Sequence, residues 1–190
     1  NYLNYLSIMN NLNNEDSINY GIIYTPNTLV NNILDLIPEK YFKDLNLKWL
    51  DIGAGNGAFS LNIFNRLNNN LQERKEHIIE NMLYMVEIYP DHIKELKNLF
   101  SINANIIDQD FLALDATKEN NYSNFDFIVG NPPYNINGKL KTPTNNNIKK
   151  TDDGKQVYVE FIKKSLSLLK PDGFLVCIIP SLWLKPDKAG

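Results

Sequence analysis

The segment Phe125–Asn135, FDFIVGNPPYN, closes an apolar run with two prolines set between an amide and a phenol. Pro132 and Pro133 carry no backbone N–H, so neither can extend a sheet ladder. Asn131, standing before a proline, is biased toward an extended backbone. The expected product is a stiff tip that aims the Asn131 amide, the Pro132 carbonyl and the Tyr134 ring into one pocket. Such a set suits a planar, conjugated amine. The exocyclic amine of adenine is a poor nucleophile because its lone pair is delocalised into the ring. Two oxygen acceptors taking its hydrogens localise electron density on nitrogen, and Tyr134 offers a stacking face. This is electrostatic preorganisation without a covalent intermediate. An adenine in a duplex would first have to be flipped out. An N-P-P-Y tetrapeptide can also arise in an ordinary turn, but here it follows an apolar strand and, further back, a glycine loop.

That loop is LDIGAGNGAF, in which Asp51 ends a predicted strand and Gly53, Gly55 and Gly57 follow at alternate positions. Glycines permit a tight turn and close ligand approach, and the helix beginning behind them offers free N–H groups. A dinucleotide fingerprint would read G-x-G-x-x-G, whereas here the third glycine comes one residue early. With Asp51 able to receive a positively charged group, the pattern favours S-adenosylmethionine over a nicotinamide cofactor. Glu87, at the end of a second predicted strand, is placed to accept ribose hydroxyls. In IIDQDFLAL, Asp108 and Asp110 compete to accept a hydrogen bond from the cofactor's adenine. Asp110 is preferred because Phe111, beside it, can pack on the ring.

The elements that must hold these groups alternate regularly. Thr25 can cap a helix that starts at Pro26 and ends near Pro38, with Leu29, Ile33 and Ile37 (and Val30 and Leu34) on one face. Then come a strand at KWLDIG, a helix at GAFSLNIFNRLNN, and an extra helix or long loop over Glu73–Asn81. A strand at NMLYMVEI, a helix at PDHIKELKNLF and short strands at ANIID and FDFIVG follow. QVYVEFIKKSLSLLK reads as a helix stopped at Pro171 with Val159, Ile162, Leu166 and Leu169 inward. GFLVCIIP is the last strand. Apolar strands between helices predict a parallel sheet covered on both faces, a doubly wound α/β domain.

The 190 residues are 43% hydrophobic with a net charge of −3, which fits one domain with a real core and excludes a broadly basic surface. A single cysteine, Cys177, excludes an internal disulfide and is expected in the core. No apolar run reaches bilayer length, so the expectation is a soluble cytoplasmic protein without a membrane partner. His77 and His92 lack metal-ligand spacing, and no metal is expected. Residues 1–19 form a polar, Asn-rich arm and residues 20–190 the catalytic domain, expected to be an incomplete fragment. The lysines between Asn135 and Lys155 (Lys139, Lys141, Lys149, Lys150 and Lys155) suit either phosphate contact or a solvated loop. Trp183 is expected near the sheet edge.

Taken in order, YTP, LDIGAGNGAF, VEIYP, DQDFL, FIVGNPPY and YVEFIKKSLSLLKPDGFLVCIIPSLWL resemble the class I S-adenosylmethionine-dependent adenine methyltransferases. The chain is most similar to the restriction–modification DNA methylases. The resemblance implies a Rossmann-like fold, S-adenosyl-L-methionine as cofactor and adenine in DNA as target. It implies that Thr25 and Pro26 hold the methionine part of the cofactor, with Asp51 and the glycine loop beside it. By the same resemblance Glu87 binds ribose, Asp110 and Phe111 hold the cofactor adenine, and Asn131, Pro132 and Tyr134 take the target base. In that family further strands and a target-recognition domain follow, so sequence choice on DNA is expected from a separate or missing domain or subunit. Protein-glutamine and RNA-adenine methyltransferases pose the same problem of a delocalised nitrogen and are the alternatives, together with a non-catalytic cofactor-binding subunit.

Overall fold

A computed structural model describes residues 25–71, 74–115, 122–136 and 155–181. The arm, the loop lysines 139–150, the Lys155 side chain and Trp183 fall outside these described positions. Five parallel strands form the main sheet in the order β3-β2-β1-β4-β7: β1 Trp49–Ile52, β2 Leu83–Glu87, β3 Asn105–Asp108, β4 Phe125–Gly130 and β7 Leu169–Cys177. A two-residue antiparallel pair, β5 (Asn135–Ile136) with β6 (Lys155–Gln156), stands apart from it. The helices are α1 Asn27–Leu34, α2 Ala58–Leu71, α3 Pro90–Leu99 and α4 Tyr158–Leu168. A short helical turn at Lys75–His77 widens into a π-type turn at Ile78–Met82 and leads into β2. The doubly wound parallel α/β architecture expected from the alternation is therefore present. Among the described residues no helix is long and apolar enough to cross a membrane.

Every residue of β1 and β2 is buried, because strands covered on both faces have no solvent side. One face packs Trp49, Phe127 and Val129 against Val30 and Leu34 of α1 and Ile63 and Leu67 of α2. The other packs Leu50, Ile52, Val86 and Ile128 against Phe111 and against Phe161 and Leu168 of α4. Aromatic rings bind the first face together. Phe42 stacks on Trp49 at 4.9 Å, Trp49 on Phe127 at 4.1 Å, and Phe127 on Phe174 at 5.1 Å. Each such contact adds about 0.5–1.5 kcal/mol beyond the area buried.

Three expectations need correction. α1 ends at Leu34, not near Pro38, and Leu29 is 41% exposed. Pro26 occupies the cap position with no side-chain cap bond, which frees the Thr25 hydroxyl for another partner. In α4 the buried residues are Tyr158, Phe161, Ser165 and Leu168, whereas Val159 and Leu166 face out at 38% and 58% exposure. Two interleaved apolar stripes share this helix, and the stripe containing aromatic rings wins the core because it buries more area. Ser165 is tolerated inside because its hydroxyl donates to the Phe161 carbonyl. Finally, β7 begins at Leu169, before Pro171. Its pairing with β4 jumps from Phe125↔Leu169 to Phe127↔Phe174, so Lys170–Gly173 form an excursion with Asp172 at φ +63°. Lys170 is tied down there by Asp126 at 2.8 Å.

Candidate active site

β1 pairs with β2 on one side and with β4 on the other, so the chain reverses its direction of strand addition at β1. Ligands of open α/β sheets bind at such a switch point, over the carboxyl ends of the strands. A cleft of about 790 Å³, counted out to open solvent, lies there. Gly53, Ala54, Gly55 and Asn56 form its floor, Glu87, Ile88 and His92 one wall, and Asp110, Phe111 and Phe161 the far end. Thr25, Asn131 and Pro133 close the remaining side.

The glycine turn takes φ of +71°, +57° and +87° at Gly53, Gly55 and Gly57. A Cβ on Gly57 would come within 3.0 Å of Leu96, so this glycine lets α3 approach the turn and stands behind the cleft. Asp51 is likewise behind it. The carboxylate is 1% exposed, and its Oδ2 accepts the Ser60 N–H at 3.0 Å and hydroxyl at 2.5 Å. Ser60 is the third residue of α2, so a β1 side chain satisfies one of the helix's orphan N–H groups from within the core. Oδ1 accepts nothing among the described residues. Burial pushes the carboxyl up to about 7, against the pull of the two Ser60 hydrogen bonds. Cys177, partly buried, is pushed up to about 12 by burial and secondly by Asp51, so it is not a thiolate nucleophile.

The raised acid has a consequence for stability. The unfolded carboxyl titrates near its ordinary value of 3.8, so folding favours the protonated form. That contribution is fully present below about pH 4 and is lost as pH rises through about 7. Between pH 5 and pH 8 the loss is on the order of 2–3 kcal/mol. Asp51→Asn is expected to flatten this fall. Thermal midpoints of wild type and variant, measured across the range, should diverge in slope by about 5–10 °C; parallel profiles would contradict the buried acid.

Glu87 is 7% exposed and fully engaged by backbone. Gly55 N–H donates to Oε2 at 2.6 Å, and Ile88 and Tyr89 N–H donate to Oε1 at 2.8 Å each. Burial pushes this carboxyl up, but His92 and the Tyr89 and Ile88 N–H groups outweigh it and hold it below its ordinary value. His92 Nδ1 lies 3.7 Å from Oε2, and the ring meets Tyr89 edge-on at 4.9 Å.

Asn131 crosses the cleft from these groups. Its Nδ2 donates to Thr25 Oγ1 at 3.1 Å, a contact spanning 106 positions of sequence. Its Oδ1 is buried and accepts no hydrogen bond among the described residues. Pro132 is buried and Pro133 lines the cleft. Tyr134 is partly buried and absent from the cleft lining; burial raises its phenol, and its carbonyl accepts the Val157 N–H at 3.1 Å. Asp110 caps the short turn Phe111–Ala113, its Oδ1 accepting the Leu112 N–H at 2.9 Å, and is exposed toward the cleft. Phe111 is 3% exposed and stacks on Phe161 at 5.1 Å.

Of the residues singled out by sequence, Thr25, Gly53, Gly55, Glu87, Asp110, Phe111 and Asn131 line one cleft. Pro26 is exposed beside it, and Asp51, Gly57, Pro132 and Tyr134 support it from behind or alongside. His92 has no metal-ligand spacing to single it out, yet it lies in the wall. The available signal was its place in the first turn of a helix that starts three residues after Glu87. Pro133 stands inside the N-P-P-Y segment, whereas Phe161 carries no comparable signal.

Comparison with known proteins places the chain in context. A family model described as Eco57I restriction-modification methylase matches residues 8–190. The type II methyltransferase M.BstVI of Geobacillus stearothermophilus is 30% identical over 195 residues, covering 87% of this chain and 34% of that protein. The modification methylase CviBIII of Paramecium bursaria Chlorella virus NC1A is 38% identical over 86 residues, covering 45% and 20% respectively. The chain thus spans about a third or less of the length of these relatives. Among solved structures, a DrdV–DNA complex matches with a TM-score of 0.64 at 20% identity, covering 96% of this chain and 22% of that one. At that identity the likeness speaks for the fold alone.

Proposed function

The chain belongs to the Eco57I restriction-modification methylase family, and on that premise we propose that it transfers a methyl group from S-adenosylmethionine to the exocyclic amine of adenine in DNA. The observation that carries this reading is Asn131, a residue of the glycine-floored cleft whose buried Oδ1 accepts nothing among the described residues. A buried acceptor left open is costly unless a donor arrives to meet it. The amine of a flipped adenine brings such a donor.

The residues fit the cofactor as well. A Cβ on Gly53 or Gly55 would meet no protein atom within 4 Å, so side chains there would occupy the cleft itself. Glu87 supplies a carboxylate for ribose hydroxyls, and Phe111 with Phe161 an apolar end for a purine. Held by the glycine turn, Glu87, Phe111 and Phe161, S-adenosylmethionine would supply a sulfonium methyl for the amine nitrogen. Asn131 accepts one amine hydrogen throughout, which keeps the nitrogen lone pair out of the ring. In this reading the Pro132 carbonyl accepts the second amine hydrogen, Pro133 lines the cleft beside the base, and the Tyr134 ring, outside the lining, would turn inward to stack on it. The choice of DNA sequence belongs, in this reading, to a target-recognition segment or subunit beyond residues 25–181, and the protein works in the cytoplasm.

The test is transfer of tritiated methyl to DNA, RNA and protein offered in parallel. The expected result is label in DNA alone, recovered as N6-methyladenine after digestion. Label in RNA or in glutamine residues of protein would replace the substrate class, and no label in any would remove the enzymatic reading.

A further inference from the structure

We propose that Thr25 is a positioning residue for the Asn131 amide, in addition to lining the cofactor cleft. The inference rests on the reading of Asn131 as the acceptor for the target amine. An amide side chain presents an acceptor on one side and two donors on the other. Only one orientation is useful, with Oδ1 toward the cleft and Nδ2 away from it. In that orientation Nδ2 needs an acceptor of its own. Thr25 supplies it at 3.1 Å.

The local structure accounts for why this hydroxyl is available. A threonine beside a helix start usually caps it, but Pro26 holds the cap position of α1 and no side chain caps that end. Thr25 is 7% exposed, turned into the protein and onto β4's extension. The flipped amide would face an incoming amine with donor against donor. With Thr25 present, the useful orientation gives one Nδ2 N–H an acceptor and leaves Oδ1 for the incoming amine. Without it, that N–H loses its acceptor in each productive encounter. The segment before α1 therefore acts on the chemical step through Asn131.

The experiment uses the full chain with Thr25→Val, which keeps shape and removes the acceptor, and Thr25→Ser, which keeps the acceptor. Three quantities are read: kcat for methyl transfer to unmethylated plasmid DNA, the calorimetric Kd for S-adenosylmethionine, and the Asn131 side-chain amide signals by ¹⁵N NMR. Thr25→Val is expected to lower kcat about 10- to 100-fold, with Kd within about twofold, and to shift and broaden the Asn131 amide pair. Thr25→Ser restores most of the rate and the wild-type signals. The proposal is overturned if Thr25→Val keeps its kcat, or if it loses cofactor affinity while the rate at saturation is unchanged. Should wild type methylate no DNA, the functional reading fails separately, and the NMR signals still decide the Thr25–Asn131 bond: an unperturbed amide pair in Thr25→Val refutes it.

Discussion

Asn131→Ala is expected to lower kcat about 100- to 1,000-fold while the Kd for S-adenosylmethionine stays within about threefold. Removing one preorganised acceptor takes away stabilisation that grows as charge develops on the amine nitrogen, so the loss falls on the chemical step. In the proposed reading the cofactor keeps its contacts, because the floor of the cleft follows β1 and Glu87 ends β2. Nor is gross unfolding expected. Asn131 is only partly buried, and among the described residues its one side-chain hydrogen bond runs to Thr25. Single-turnover transfer and calorimetry on the same preparation separate the two effects. A variant that methylates within threefold of wild type would show that another group takes the amine.

Gly130→Ala is expected to be the most damaging small substitution for the fold, costing about 3 kcal/mol. Gly130 has φ +150°, and a Cβ there would lie 2.6 Å from the Ile52 carbonyl oxygen. The clash is with backbone of the neighbouring central strand, so no rotamer change relieves it. The strands must part, and the Gly130 carbonyl, which accepts the Ile178 N–H at 3.0 Å, loses its place with them. The thermal midpoint should fall by about 6–12 °C, and activity should fall further than stability because Asn131 follows directly. An unchanged midpoint would mean that β1 and β4 are more loosely coupled than their register indicates.

The fold was legible because its signals are local and agree with one another. Apolar runs too short for helices alternate with helical stretches, and Pro90 stands at the first turn of α3 as its residue type predicts. Phase was harder to read than element type. In α4 either of two stripes satisfies helical spacing, and only the shape of the opposing sheet surface decides between Val159 and Phe161. The cleft shows the same division. Gly53, Gly55, Glu87 and Asn131 announce themselves by standing at strand ends, whereas the partners of those groups depend on contacts far apart in sequence. Nothing local indicates that Asp51 turns to Ser60 instead of the cleft, or that Thr25 meets Asn131 instead of capping α1.

The three N–H groups held by Glu87 change what recognition of a sugar means here. In the proposed reading, a vicinal diol entering this corner meets a carboxylate that already accepts three N–H groups, so its two hydroxyls exchange at least one of those donors for their own. Such an exchange is nearly neutral in free energy, so grip on a nucleoside must come chiefly from its ring and its charged end.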